Sequence, residues 1–174
     1  MAVPVQKLRE IVFQMLYSTD LGRSTDENML DLLTKELAVT KKVVKDVQTR
    51  VHLIREQIKE IDALIAKTSK SYEFERIQSV ERNILRLGAF ELLYDNTIPP
   101  KVAIAEALRL ARKFSTKESA SFINAILDAI YKSSIGEKFD PKVLAQSAEQ
   151  LTEIEAISHE AALEQKKDDD TDTV

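Results

Sequence analysis

A chain of 174 residues suffices for one domain with an appendage, and its three glycines and four prolines leave little material for β-turns or glycine-rich loops. It holds no cysteine, which excludes disulfides and thiolate metal sites and suits a reducing cytosol. The formal net charge of −4 is unevenly placed: residues 137–174 carry eleven acids against four lysines, a net −7, which leaves a mildly basic body at +3.

The opening MAVPVQKLRE has no apolar signal segment, and no apolar run approaches the ~20 residues of a membrane span, so a soluble cytoplasmic protein is expected. Residues 5–20 read as a helix closed by Gly22, with Leu8, Ile11, Val12, Met15 and Leu16 as its stripe. Phe13 and Tyr17 lie on the other side, which predicts a helix packed between neighbours. The run STDEN then offers N-cap chemistry for a helix near 26–38.

Val44, Val47, Val51, Ile54, Ile58, Ile61 and Ile65 follow a 3-4 spacing, read as the seam of one long helix and the spine of an intramolecular bundle. After Ser69, Ser71 and the short segment YEFERI, residues 80–94 are apolar around most of the wheel, which predicts a central buried helix. Glu91 interrupts that helix; a buried carboxylate must be satisfied, and backbone N–H groups near Lys101 and Val102 are the expected donors. Asp95 to Pro100 ends the helix, and proline opens the next, whose face is Ile104, Ala107, Leu108, Ala111 and Phe114. Ser115 or Thr116 caps a further helix with Ser119, Ile123, Ile126, Leu127 and Ile130 as its core stripe.

Composition changes after Gly136. Asp140-Pro141 starts a helix expected to run to about Glu164, followed by a disordered charge run, KKDDDTDTV. The expected organisation is therefore an all-α domain over 1–135 and an acidic extension over 136–174.

The sequence has no P-loop, GxGxxG or GxSxG. His52 and His159 stand apart from each other, and the carboxylates are spread along helix faces, so no catalytic residue, cofactor or metal site is expected. What remains is a set of basic, aromatic and amide groups near two helix starts: Lys7, Arg9, Arg109, Arg112, Lys113, Lys117, Phe122 and Asn124. A helix start offers N–H groups to phosphate, cations add counter-charge, and an aromatic at the edge of a core stripe can stack on an unpaired base. Such residues also occur as a solvated face and a core rim, so by themselves they permit RNA binding without demanding it.

The segment VERNILRLGAFELLYDNTIPPKVAIAEALRLARKFSTKESASFINAILDAI resembles the C-terminal half of the NusB family, and LREIVFQMLY is similar to that family's opening helix. The resemblance spans most of residues 6–132. It implies an all-α bundle of about seven helices in two small subdomains, and a transcription antitermination factor. Its implied partners are single-stranded boxA RNA of ribosomal RNA precursors, the ribosomal protein NusE, other antitermination factors and RNA polymerase. A homodimer in the free state is left open.

By family pattern the RNA surface maps to Lys7, Arg9, Lys113, Glu118, Ser119, Phe122 and Asn124, and the NusE surface to Glu75 and Glu81. Where the family often opens with a dense arginine cluster, this chain has only Lys7 and Arg9. Fewer cations release fewer counterions, which predicts RNA binding that depends on NusE. Alternatives are a helical protein–protein adaptor and the RNA-binding module of an rRNA methyltransferase. The acidic extension reads as a solubilising appendage or, more pointedly, as an autoinhibitory mimic of RNA.

Overall fold

Periodic apolar residues become helices throughout the computed structural model, which describes residues 3–22 and 26–171. Among these residues it forms α1 (Val5–Asp20), α2 (Asp26–Leu37), α3 (Lys41–Glu56), α4 (Ile58–Thr68), a 3-10 turn (Phe74–Arg76), α5 (Ser79–Tyr94), α6 (Pro100–Phe114), α7 (Lys117–Ser134) and α8 (Pro141–Thr171), with no strand. None of these helices is long and apolar enough to cross a membrane. Ser24 and Thr25, expected to cap α2, lie outside the described residues.

α1 is sandwiched as its apolar circumference predicts, against α2, α3 and α5, with the Phe13 ring tilted against that of Phe114 at 5.1 Å. Gly22 ends the segment at φ +63°, a conformation in which a Cβ would be strained. The 3-4 seam is not one helix. Gln57 interrupts it with φ −99° and ψ 1°, and its N–H bonds to the Ile54 carbonyl one residue short of helical register. Val47, Val51, Ile54, Ile61 and Ile65 are nonetheless all buried, so the seam faces one core from two consecutive helices.

α5 is the central helix, touching α1, α3, α4, α6 and α7. Its start is held by Asp20, at the end of α1, whose carboxylate accepts from Ser79 Oγ at 2.6 Å, Arg82 at 2.9 Å and Asn83 at 3.1 Å. Burial opposes that charge, but these hydrogen bonds outweigh it and hold Asp20 well below the usual carboxylate range. Arg86 adds a two-pronged pair to Asp62 of α4, both bonds 2.7 Å. Further along, Gly88 lets α5 approach α7 closely: a Cβ there would stand 2.8 Å from Leu127 Cδ1. Leu127 is fully buried, so Gly88→Ala should cost about 1–3 kcal/mol, read as a lower midpoint in urea; an unchanged midpoint would show that Leu127 yields freely.

Two expected faces shift. α6 buries Ala103, Ala107, Leu110 and Ala111, while Ile104, Leu108 and Phe114 are only partly covered. α7 buries not only its predicted stripe but also Ala120, Phe122, Ala125 and Ala129, because it has neighbours on two sides. Besides α4, α5 and α6 it meets α8, which lays Leu144, Ala148 and Leu151 into the same core. α8 also runs on to Thr171, past the expected end near Glu164 and into the charge run expected to be disordered; residues 172–174 lie outside the described part.

Candidate nucleic-acid interface

The fold brings the start of α1 beside the second half of α6, and Glu10 is the centre of the contact. Its carboxylate takes Arg109 at 2.7 Å, Lys113 at 2.9 Å and Lys7 at 3.5 Å. Burial alone would raise the Glu10 carboxyl, yet the hydrogen bonds from Lys113 and Arg109 prevail and hold it at about 2. Its contribution to stability is therefore complete above the ordinary value of 4.5 and fades only as pH falls towards about 2, so the cluster keeps its anion at neutral pH. Lys7 and Lys113 remain 41% and 51% exposed, which leaves ammonium donors facing solvent.

Just beyond α6, Thr116 caps α7: its Oγ1 accepts from the Ser119 N–H at 3.1 Å. Arg112 and Lys117 are exposed on either side of this turn. A basic edge thus leads into a helix start, an arrangement that suits phosphate.

Not every expected RNA residue joins it. Arg9 is 9% exposed and points inward, donating to Glu91 Oε1 at 2.8 Å with Glu106 at 3.6 Å. It therefore neutralises the buried carboxylate that backbone N–H groups near Lys101 and Val102 were expected to satisfy. Arg50 of α3 approaches the same oxygen at 3.7 Å and also pairs with Asp95. Burial pushes the Glu91 carboxyl up from its ordinary value, against the pull of Arg9 and Arg50.

Phe122 is 1% exposed and packs 5.4 Å from the ring of Tyr72, so it offers no face to a base. The stacking role expected from its place beside the α7 stripe is corrected to a core role, because α7 is covered on that side as well. Ser119 is buried too, and Glu118 is half-buried; Asn124 is exposed.

Of the two residues expected at the partner surface, Glu81 adjoins this edge. Glu75 is exposed on the 3-10 turn, whereas Glu81, in the first turn of α5, is buried. Glu81 Oε1 accepts from Ser119 Oγ at 2.7 Å and from Ser115 Oγ, which ties the candidate partner surface to the α6–α7 turn. Its Oε2 is buried without a hydrogen-bond partner among the described residues.

Sequence reasoning missed Glu10 as the organiser, and although it named Arg109 among the basic groups, the residues mapped by family pattern left it out. The spacing of Lys7 and Glu10, one helical turn apart, was the available signal, but nothing local shows that α6 completes it. Among the described residues no group of three or more histidines and acids could hold a metal ion.

A family model described as the NusB family matches residues 6–132. The chain is 40% identical over 131 residues to the transcription antitermination protein NusB of Chlamydia pneumoniae, which takes in 75% of this chain and 82% of that relative. NusB of T. maritima superposes with a TM-score of 0.66 at 34% identity, over 76% of this chain and 93% of its own. A chain from the crystal structure of antitermination factors NusB and NusE in complex with dsRNA superposes with a TM-score of 0.63 at 28% identity, over 74% and 96%.

Proposed function

Because the chain belongs to the NusB family, we propose that it is a transcription antitermination factor that holds single-stranded boxA-type RNA of ribosomal RNA precursors together with the ribosomal protein NusE. The convergence of Lys7, Arg109 and Lys113 on Glu10, beside the capped start of α7, carries the RNA part of this reading. Lys7, Lys113, Arg112, Lys117 and Asn124 form the contact surface. Arg9, Ser119 and Phe122 support it from beneath.

The mechanism is assembly. Cations on the α1–α6 edge displace counterions from the RNA backbone and position it, while the N–H groups at the start of α7 donate to a phosphate. No covalent bond changes, and no catalytic group is required. Glu10 lowers the net charge of the edge, so the bare protein has modest affinity and NusE completes the surface. Docking of this complex on RNA polymerase with other antitermination factors, in the cytoplasm, finishes the reading.

The test is boxA RNA binding across salt, with and without NusE. Lys113→Ala should weaken binding of all sequences alike and reduce the salt slope by about 0.7. Glu10→Gln should act in the opposite direction, strengthening binding, because it removes the anion shared by three cations. Unchanged affinity and slope in both variants would remove this edge from the RNA site. No RNA binding with or without NusE would favour the adaptor reading instead.

A further inference from the structure

α8 lies wholly past the family match, which ends at residue 132, yet it is seated against α7, most of which lies within that match. Its seat is narrow. Leu144, Ala148 and Leu151 are buried at helical spacing, and beyond them Ile157 and Leu163 are exposed. A polar contact fastens it further on: the Tyr72 hydroxyl lies 2.7 Å from both oxygens of the Glu155 carboxylate, to which it donates, and Tyr72 in turn packs on Phe122.

Between this seat and the body lies a cleft of about 590 Å³. Glu81, Ser115 and Thr116 line it on the body side, and Glu155, Ser158 and His159 on the α8 side. Glu81 is 5% exposed, and its Oε2 makes no hydrogen bond among the described residues. A buried carboxylate oxygen without a hydrogen bond is costly to keep, and Ser158 and His159, which α8 brings to the cleft, make none to it, so a donor from a partner would be accommodated there. α8 therefore covers the face without completing it.

We propose that α8 is a displaceable strap: it occupies in cis the face that carries Glu81, and a protein partner with a cationic side chain for Glu81 must lift it to bind. This rests on the reading that the Glu75–Glu81 face receives the ribosomal protein. A body whose face is open only part of the time has its affinity reduced by the open fraction. The strap thus sets a threshold for assembly that is built into this chain and not into the matched family region. Its polar contact is with Tyr72 and its cleft is the one that holds Glu81, which points to the protein partner, although Gln150 and Glu153 also bring it beside Lys117 at the start of α7.

The experiment titrates NusE calorimetrically into the full-length chain, full-length Leu151→Asp, and Leu151→Asp with Glu81→Lys, and follows hydrogen exchange of the wild type with and without NusE. Leu151→Asp weakens only the strap side of the contact. It should bind about tenfold tighter or more than wild type, and amides over 144–155 of the wild type should lose protection when NusE binds. Equal or weaker binding by Leu151→Asp, or α8 amides that stay protected in the wild-type complex, would overturn the strap. If Glu81→Lys abolishes binding while Leu151→Asp gains nothing, the partner face stands and only the strap fails. If Glu81→Lys changes nothing, the face itself is wrong and the proposal falls with it.

Discussion

Phe122→Ala is expected to lower stability by about 3–5 kcal/mol, through loss of a large buried side chain and the cavity it leaves. For a chain of this size that corresponds to a fall in Tm of roughly 6–20 °C. The ring is 1% exposed and shares its pocket with Tyr72, whose hydroxyl holds α8, so the loss should also loosen the strap. Thermal melting monitored by far-UV circular dichroism measures the first effect. RNA affinity of the folded protein, measured well below the midpoint, should change little. An unchanged Tm with a loss of about 1–3 kcal/mol in RNA binding would mean that the ring stacks on a base after all.

Arg9→Met should be comparably damaging, at about 3–5 kcal/mol, because it strands the Glu91 carboxylate in the interior. Glu91 is 2% exposed, and with Arg9 gone its nearest cation is Arg50 at 3.7 Å. Adding Glu91→Leu should recover most of the loss, since a well-packed apolar pair replaces a buried ion pair at little or no cost. The pH dependence has a definite sign. Burial already raises the Glu91 carboxyl, and removing Arg9 raises it further, so the penalty belongs to the charged form. The deficit of Arg9→Met relative to wild type should therefore be greatest at neutral pH and shrink as pH falls towards the ordinary value of 4.5. Urea midpoints across that range test it. A deficit independent of pH, or a double variant no better than the single, would show that Arg9 stabilises by packing alone.

These two residues also mark where the sequence was legible and where it was not. The helices were readable because their apolar residues repeat at helical spacing and their ends carry recognisable chemistry: Gly22 after α1, Pro100 at the start of α6, Thr116 before α7. The break at Gln57 was not, because the apolar seam keeps its spacing across the interruption, and a one-residue discontinuity leaves no proline or glycine to announce it. On the candidate site, Lys7 and Lys113 were identified as exposed cations, while Glu10, which gathers them, was passed over.

What the sequence determined by itself was local: an all-helical chain, its helix ends, most of its buried stripes, and through its motifs the family. Whether a residue beside a stripe is rim or core was decided by tertiary structure alone. Phe122 sits about 100° from Ile123 on the helical wheel, an edge position if α7 is covered on one side and an interior one if it is covered on several. α7 packs against α4, α5, α6 and α8, and Tyr72 lies over the Phe122 ring. Likewise Arg9 is a surface cation on α1 considered singly, and becomes internal only because Glu91, 82 residues away, needs its charge. Helical periodicity specifies an angle on a wheel. What lies across from that angle is set by packing between distant segments.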